Sequence, residues 1–460
     1  MTGQLDRGEM RRRRSERARE IGSQLLLRQV AAVALTWVDN AGITRVKAVP
    51  TTKLAEAATW GVGMSPVFDV FTFDDSVTTS TYIGGPVGDL RLYPDLEQLT
   101  VLAGDAGWAW APVDRETQEG DPYPACQRTF ARRMYEKATE RGLTAHMAFE
   151  VEWFVGRETD SGDVEPACLG PAYGLTRISE LSEYIRDVLQ ALSMQNIQVE
   201  QFHPEYAPGQ LELSVAAADP VTAADRAVLV RHTIRTVSHR YGYRVSFAPV
   251  VTAGGVGNGP HLHLSLWSDG VNLLSGGPGR YGLTEQGESV LAEILDHLPA
   301  LCAISAPSPA SYLRLVPQHW AGPYQCWGRE NREAALRLIT GTVGAGPMAA
   351  NAEIKCVDGS ANPYLVVGCV LALALAGLDR GRRLPPEVTV DPATLPEAEQ
   401  PPRLPRSVPE AIDRLYADEV LTSALGAPLL EAFVAVHRAE QEFFADATAE
   451  EIAARTRWVY

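Results

Sequence analysis

The fold is decided by the stretch MAFEVEWFV, residues Met147–Val155. Its bulky β-forming residues favour a strand, in which successive side chains point to opposite faces. Glu150 and Glu152 then share one face, and the apolar residues that alternate with them share the other. Two carboxylates in an apolar strand are costly to bury unless a positive charge lies between them, and a divalent cation held by oxygen ligands is the usual candidate. A solvated face on an edge strand is the alternative.

The same alternation of apolar and polar residues recurs in three later stretches. The polar residues that share a face are Gln210, Glu212 and Ser214 in the first, His261, His263 and Ser265 in the second, and Glu353 and Lys355 in the third. Glu205 precedes an Ala-Pro-Gly turn that could fold it back toward Glu212. If these faces converge inside a sheet that curls on itself, five carboxylates and a histidine would line one funnel. Such ligands suit Mg²⁺ or Mn²⁺ better than structural zinc.

Composition limits the class of protein and its partners. The chain has 460 residues, 45% of them hydrophobic, which suggests two domains or one large one. A net charge of −16 argues against nucleic acid or an anionic membrane as partner. The six cysteines are scattered without a C-x-x-C pair, as in reduced cytosolic proteins. The apolar run Leu365–Leu378 is too short to cross a bilayer and predicts a core helix. We therefore expect a cytoplasmic protein.

The pattern along the chain predicts two domains. Residues 1–112 are expected to form a small β-rich module with one helix, and residues 113–460 a larger domain that the polar segment Glu116–Pro124 joins to it. The elements predicted in the module are a helix at 5–30 and strands at Val33–Val38, Ile43–Val49, Val67–Phe73 and Leu99–Val101. Those predicted in the larger domain are helices at Arg128–Arg141, at 177–195 and from Asp219-Pro220 to Gly242, a loop at 156–175 and an extended proline-rich crossing at 382–409.

Arginines cluster at Arg332 and Arg337, with Arg314 upstream. Cations that face a metal cluster are what phosphoryl transfer requires, because they neutralise charge on the transferred oxygens. Surface ion pairs with Glu330 and Glu333 are the alternative. The chain has no G-x-x-x-x-G-K-[ST] loop and no G-x-G-x-x-G motif, so the usual phosphate-binding loops do not locate a nucleotide.

Several motifs, taken in order, resemble the glutamine synthetase family. They are FEVE at 149–152, HPE and PGQLE within 203–212, Gly257–His263, Asn331-Arg332, and Glu353 followed by DGSANPYL at 358–365. The resemblance runs from about residue 20 to 460. It implies an α+β fold, with an N-terminal β-grasp domain followed by a catalytic domain that has a curved antiparallel sheet and surrounding helices. It also implies a homo-oligomer, a double-ring dodecamer whose active sites lie between neighbouring subunits.

The resemblance also assigns roles to residues. It implies two or three Mg²⁺ or Mn²⁺ ions per site, one held by Glu152, Glu205 and Glu212 and a second by Glu150, His261 and Glu353. The residues implied to contact ATP are Glu200, His263, Ser265, Arg337 and Lys355. Gly257 and Arg314 are implied to bind the amino acid substrate, and Arg332 and Arg337 to handle the transferred phosphoryl group.

Departures from the family pattern concern the amine. Trp320 stands where ammonia-using members have a glutamate that takes a proton from ammonium, and Ser65 stands where they have an ammonium-binding aspartate. Losing both anions removes the electrostatic reason for NH₄⁺ to bind. The indole of Trp320 offers an apolar wall or a cation–π surface to an organic amine. On the acid side, Lys355 and Val256 replace an arginine and an asparagine, so an acid other than glutamate stays possible.

These features give one hypothesis and two alternatives. The hypothesis is an ATP-dependent ligase that joins the γ-carboxylate of glutamate to an organic amine (an aryl-, alkyl- or polyamine) through γ-glutamyl phosphate, with a slight preference for a weakly basic or bulky apolar amine. The first alternative is a glutamine synthetase that uses ammonia. The second is a non-catalytic family member with a structural or regulatory role, against which the complete set of metal-binding side chains speaks.

Overall fold

The computed structural model describes residues 7–460, so positions 5 and 6 of the predicted first helix lie outside the described residues. Two β-sheets organise this part of the chain. The first sheet has the strand order β2-β1-β6-β4-β3, with β5 on β6, and the pair β1–β6 is parallel. Its strands are β1 (Ala32–Val38), β2 (Thr44–Pro50), β3 (Val62–Met64), β4 (Leu90–Pro94), β5 (Thr100–Val101) and β6 (Trp108–Thr117).

The second sheet is larger and has the order β14-β15-β16-β12-β7-β10-β9, with β8 and β11 on β7 and β13 on β12. It is antiparallel except for the parallel pair β14–β15. Its strands are β7 (Leu143–Glu158), β8 (Val164–Pro166), β9 (Val199–Pro204), β10 (Gln210–Val215), β11 (Arg244–Ser246), β12 (Leu262–Ser268), β13 (Val271–Asn272), β14 (Tyr324–Arg329), β15 (Ala334–Ile339) and β16 (Asn351–Ile354).

Strand β7 contains the stretch Met147–Val155 and is the hub of the second sheet. One edge of β7 pairs with β12 over residues 143–149, and the other pairs with β10 over residues 150–154. Phe149, Val151 and Trp153 are buried at 3% exposure or less, as the alternation predicted. The carboxylate face therefore lies opposite the apolar core.

Helices cover the apolar faces of both sheets. The helices of residues 7–460 are α1 (Arg7–Leu27), α2 (Leu54–Trp60), α3 (Gln127–Glu140), α4 (Leu175–Glu180), α5 (Ser182–Met194), α6 (Pro220–Arg240), α7 (Glu285–Ser305), α8 (Ser311–Arg314), α9 (Gly346–Ala349), α10 (Pro363–Arg380), α11 (Val408–Tyr416), α12 (Glu419–Leu425), α13 (Ala427–Phe443) and α14 (Ala449–Thr456). By length and composition α10 could cross a membrane, but 78% of it is buried among α3, α6 and α7. It is the core helix that the sequence predicted.

The two parts of the chain share a core. Val38, Val70, Leu102 and Trp110 from the first part belong to the same cluster of buried apolar side chains as β7 and α10. Asn362 joins the parts through polar contacts: its side chain caps α10 and donates to the backbone oxygens of Val38 and Asp39, each at 3.0 Å. The first sheet is therefore packed directly onto the second part of the chain.

Most of the elements predicted from sequence are present. Four predictions were wrong: one in the type of element, one in the continuity of a helix and two in the position of a strand end. The predicted strand Val67–Phe73 is instead a 3₁₀ turn at Pro66–Val70, because the Ser65 hydroxyl accepts the Val67 N–H and Pro66 favours a first helical turn. The predicted helix 177–195 breaks at Leu181, which is buried in a non-helical conformation.

The other two errors concern strand ends. The predicted loop 156–175 begins later, because β7 continues to Glu158 and pairs with β8. The predicted linker 116–124 begins inside β6, which pairs with β4 as far as Thr117, so residue 112 lies within a strand. The division into 1–112 and 113–460 stays a prediction.

Candidate active site

A cavity of about 640 Å³ opens over the carboxylate face of the second sheet. Its walls come from β7, β9, β10, β12, β15 and β16, together with the loops at 256–261 and 314–320. The predicted site residues that line it are Glu150, Glu152, Glu205, Glu212, Gly257, His261, His263, Arg314, Trp320, Arg332, Arg337, Glu353 and Lys355. The polar faces that were expected to converge therefore do so in one chain.

Strand register explains the convergence. Arg337 on β15 is opposite Glu353 on β16, which is opposite His263 on β12. At the other edge of β7, its residue Glu152 is opposite Glu212 on β10, and Glu212 is opposite His203 on β9. Directly opposite residues in neighbouring strands point to the same face, so these side chains form rows across the sheet.

The first cluster of possible metal ligands consists of Glu150, His261 and Glu353, whose ligand atoms all lie within 4.8 Å of one another. The Nδ1 atom of His261 is 2.8 Å from Glu150 Oε2 and 3.1 Å from Glu353 Oε1. Glu353 also accepts from Lys355 Nζ at 2.9 Å and from Arg337 Nη1 at 3.0 Å. Two carboxylates and an imidazole at this spacing could hold one divalent cation.

The second cluster consists of His203, Glu205 and Glu212, also within 4.8 Å of one another. His203 Nδ1 is 3.1 Å from Glu205 Oε1, and its Nε2 is 3.4 Å from Glu212 Oε1. Hydrogen bonds to Glu205 and Glu212 raise the pKa of His203 to about 10, so in this arrangement the imidazolium supplies the positive charge between the carboxylates. Tyr173 donates to the remaining oxygen of Glu205 at 2.8 Å.

Glu152 lies between the two clusters, where it accepts from the backbone N–H of Gly259 at 2.7 Å. Burial, together with the charge of Glu212, raises the pKa of Glu152 to about 8. Burial also raises the pKa of Glu212 to about 7. The carboxylates are thus crowded beyond what the neighbouring cations compensate, which is the condition under which dications bind.

The turn between β9 and β10 folds Glu205 back toward Glu212, as expected from the Ala-Pro-Gly sequence. Gly209 has a φ of +71°, and a Cβ there would approach the backbone oxygen of Val155 to 2.7 Å. Arg177, buried beneath the turn, donates to the backbone oxygens of Glu205 and Ala207 at 2.6 and 2.8 Å. Only glycine fits at position 209, so the turn itself positions the carboxylate.

Arg314 and Gly257 lie together beside the first cluster. A Cβ at Gly257 would come within 2.8 Å of the Arg314 side chain, so glycine leaves the room that the arginine occupies. Arg314 Nη2 is 3.2 Å from His261 Nε2 and donates to the backbone oxygen of Lys355 at 3.2 Å. Within the described residues its buried Nη1 has no hydrogen-bond partner, and burial lowers the pKa of Arg314. A buried, unsatisfied guanidinium N–H in a cavity wall is suited to bind a carboxylate.

Two further arginines lie on the opposite wall. Arg337 donates to Glu353 and also to Glu330, each at 3.0 Å. It therefore contacts a candidate metal ligand and also forms the ion pair with Glu330 that was the alternative explanation for this arginine. Arg332 lines the cavity with an exposed side chain, and within residues 7–460 it forms no ion pair with Glu330 or Glu333.

The indole of Trp320 lines the cavity and lies beside a second exposed ring, that of Tyr206. Trp320 is 40% exposed, and its ring centroid lies 5.3 Å from that of Tyr206. The backbone N–H of Trp320 donates to Glu333 Oε1 at 3.0 Å, and burial raises the pKa of Glu333. A cation that enters here meets two exposed π faces.

Residues 124–455 match the family model described as the glutamine synthetase catalytic domain. A γ-glutamylpolyamine synthetase, GlnA3, from Streptomyces coelicolor is 54% identical over 451 residues, which cover 97% of each chain. This chain belongs to the glutamine synthetase family. The glutamine synthetase of Pyrococcus horikoshii is 28% identical over 434 residues, covering 91% of each chain.

Solved structures of the glutamine synthetase family have the same fold. A crystal structure of a glutamine synthase homologue superimposes with a TM-score of 0.84 at 34% identity, covering 94% of this chain and 99% of that one. A complex of GmaS with ADP superimposes with a TM-score of 0.82 at 26% identity, covering 93% and 96%. The second sheet and its helices therefore form the curled-sheet, mixed α/β fold of the family.

Three residues that the resemblance singled out lie outside this cavity. Glu200 is exposed on β9 and accepts from Gln198, while its neighbour Gln201 lines the cavity. Ser265 accepts from the Trp267 indole at 3.0 Å, further along β12 than His263. Ser65 caps the 3₁₀ turn at Pro66–Val70. Their roles in ATP or amine binding stay predictions.

His263 does line the cavity, where its Nε2 is 3.0 Å from Glu150 Oε1 and its Nδ1 is 2.9 Å from Asn351 Oδ1. Burial opposes the charged imidazole, but the contact with Glu150 outweighs it and raises the pKa of His263 to about 9. His263 therefore contacts the candidate metal ligand Glu150 and is itself a residue that the family resemblance predicts to bind ATP.

No role was predicted for His203 or Tyr173, although both contact Glu205. His203 could have been found, since strand alternation in β9 places it on one face with Gln201, and the turn that follows the strand begins two residues later at Glu205. Tyr173 comes from the loop before α4, and nothing local in the sequence indicates its contact with a residue 32 positions later.

Proposed function

We propose that this chain is an ATP-dependent ligase that joins the γ-carboxylate of glutamate to an organic amine, and that the amine is a polyamine. The observation that carries the proposal is the identity of 54% with a γ-glutamylpolyamine synthetase over 97% of both chains. The sequence alone slightly favoured a weakly basic or bulky amine. The name of this relative favours a polyamine instead, and the exposed aromatic pair Trp320 and Tyr206 suits a flexible polycation.

Two groups of residues would hold divalent cations. Glu150, His261 and Glu353 would hold one. Glu205 and Glu212, which cluster with His203, would hold another together with Glu152 from the same cavity; carboxylate oxygens with imidazole suit Mg²⁺ or Mn²⁺. The raised pKa values of Glu152 and Glu212 support the fit, because they reflect burial of the two carboxylates and, after it, the charges of neighbouring glutamates. When bound, the cations would neutralise charge on the phosphates of ATP and polarise the transferred phosphoryl group.

The protein's own residues would then orient the reactants. Arg314, with its unsatisfied Nη1, would bind the α-carboxylate of glutamate beside Gly257. Arg332 and Arg337 would neutralise the phosphoryl oxygens as the γ-carboxylate attacks the γ-phosphorus and ADP leaves. The amine would next attack the acyl carbon of γ-glutamyl phosphate, expelling phosphate and losing a proton. His263, together with Glu200, Ser265 and Lys355, is proposed to contact the nucleotide or the acyl group.

We further propose that residues 1–112 form a β-grasp domain and that the protein assembles as a homo-oligomer, a dodecamer, with sites between subunits. In such an assembly Ser65 would lie near the site of a neighbouring subunit rather than near its own. The net charge of −16 supports the accompanying prediction that neither nucleic acid nor an anionic membrane is a partner, and the scattered cysteines support the prediction of a cytoplasmic enzyme.

The test is phosphate release from ATP with glutamate and Mg²⁺ across a panel of amines: spermine, spermidine, putrescine, ethylamine, aniline and ammonium. We expect the polyamines to give the highest kcat/KM. Ammonium exceeding every organic amine would favour a glutamine synthetase instead. The variant Glu150→Gln serves as the control for contaminating ligases, and an unmodified protein no faster than this variant with any amine would support the non-catalytic alternative.

A further inference from the structure

A second cavity, of about 480 Å³, lies between the first sheet and α6. It shares no lining residue with the candidate active site. Its walls are the exposed face of β1, β2 and β6, one face of α6, and the chain near Tyr460. Its size is within the range of small-molecule sites in proteins.

Two arginines on α6, Arg231 and Arg235, line this cavity one helical turn apart. Within residues 7–460 neither forms an ion pair, and the one carboxylate whose charge partly offsets the effect of burial on Arg231 is Asp358. Arg231 Nη1 donates to the backbone oxygen of Gly359 at 3.0 Å, and its buried Nε has no partner among the described residues. Both guanidinium groups lie over the Phe247 ring, at 5.8 and 4.8 Å from its centroid.

These two cations are therefore poorly compensated. Burial lowers the pKa of Arg231 to about 10, and burial together with the charge of Arg231 lowers the pKa of Arg235 to about 10. Like charges one turn apart on a helix repel each other. An anion placed between them would relieve both the repulsion and the lost hydration, and the guanidinium geometry suits a carboxylate.

A single acidic side chain, Asp105, limits the charge that the anion can carry. It lies in the same cavity, where His232 Nε2 is 2.8 Å and the Thr236 hydroxyl 3.2 Å from its Oδ2. A second negatively charged group on the ligand would be repelled by the Asp105 carboxylate. The cavity therefore favours one negative charge over two.

The rest of the wall is apolar and aromatic. Trp110 and Leu102 are buried, Val228 lies on α6 beside the arginines, and Trp108 is 40% exposed. These side chains offer a surface on which the body of a ligand can be removed from water.

We propose that this cavity binds a monocarboxylate with an apolar, preferably aromatic, body. The carboxylate would lie against Arg235 and Arg231, and the body against Trp108 and Trp110. Neither the glutamine synthetase reaction nor its substrates require such a site, so the proposal stands apart from the proposed function.

Isothermal titration of the full-length protein with phenylacetate tests the proposal. We expect saturable binding of phenylacetate and none of phenylacetamide, which has the same shape without the charge. Arg235→Gln should raise the Kd for phenylacetate about tenfold or more, because a charge-assisted hydrogen bond is lost. Arg240→Gln, on the exposed end of the same helix, should leave the Kd unchanged. Equal Tm values for Arg235→Gln and Arg240→Gln would show that the fold is intact.

Asp105→Asn provides the second arm of the test. Glutarate, a dicarboxylate, should bind the unmodified protein weakly and gain affinity about tenfold in this variant, because the repelling charge is removed. The proposal is overturned if phenylacetamide binds as well as phenylacetate, if inorganic phosphate binds and phenylacetate does not, or if Arg235→Gln leaves phenylacetate binding unchanged. The last result would locate the binding elsewhere, for example at Arg314.

Discussion

Among single side chains, the carboxylates of the candidate metal site determine how the protein responds to pH. The pKa values of Glu152 and Glu212 are raised to about 8 and about 7, and that of His203 to about 10. Groups whose pKa is raised on folding stabilise the fold at low pH, and this contribution is lost as the pH rises through the folded value. In EDTA we therefore expect Tm to fall as the pH rises from about 4.5, the ordinary pKa of glutamate, to about 10, the pKa of His203 in the folded protein.

Saturating Mg²⁺ should flatten this decline, because a dication replaces the protons that hold the carboxylates together. Tm measured from about pH 5 to about pH 9, with Mg²⁺ and with EDTA, checks it. Glu212→Gln keeps the shape of the side chain and removes one charge, so it should reduce the decline in EDTA and weaken Mg²⁺ binding at least tenfold. Curves of Tm against pH that run parallel with and without Mg²⁺ would contradict the assignment of these residues to a metal site.

Trp320 is the residue expected to distinguish organic amines from ammonia. Trp320→Ala should raise the KM for spermine about fivefold, since a cation–π contact contributes about 1 kcal/mol, and should change kcat less than twofold. Steady-state phosphate release gives both constants. Trp60→Ala, which removes another exposed indole outside the cavity, is the matched control. A fall in kcat without a change in KM would assign Trp320 to the chemical step instead.

At the scale of elements, Asn362 connects the core helix α10 to β1. Asn362→Ala removes a helix cap, worth about 1 kcal/mol, and two buried hydrogen bonds to backbone oxygens, so we expect a loss of about 2–3 kcal/mol in the free energy of unfolding. Asp219→Ala removes a cap that makes only local hydrogen bonds at α6 and should cost about 1 kcal/mol. Urea denaturation compares the two, and equal losses would mean that the contacts with β1 contribute nothing.

Local patterns determined which elements and site residues the sequence could predict. Glu150, Glu152, Glu212 and Glu353 were found because alternation within one strand places a side chain on a face whatever the strand packs against. The turn at Pro66–Val70 was missed because a serine cap and a proline overrode the β propensity of Val67 and Phe68. Arg314 was noted with the arginines downstream of it, but its role beside the amino acid substrate came from the family resemblance, since its contact with His261 joins residues 53 positions apart.

For the whole molecule, the shared core predicts that the second part of the chain does not fold by itself. Residues 118–460 expressed alone would expose the surface that Val38, Val70, Leu102 and Trp110 cover. We expect an aggregated product, measured by size-exclusion chromatography and dye binding to exposed apolar surface. Co-expression with residues 1–117 should restore a soluble complex. A soluble 118–460 fragment with cooperative thermal unfolding would contradict this expectation.

Strand β7 carries Glu150 and Glu152 while neighbouring strands hold both of its edges. Their separation is therefore fixed by the strand repeat, about 7 Å for two residues, and no loop can adjust it. Loss of one codon between positions 147 and 155 would turn a carboxylate into the apolar layer and a valine or tryptophan into the cavity. Insertions and deletions among descendants of this gene should therefore accumulate in the turn at 159–163, where a change in length does not alter the register of β7.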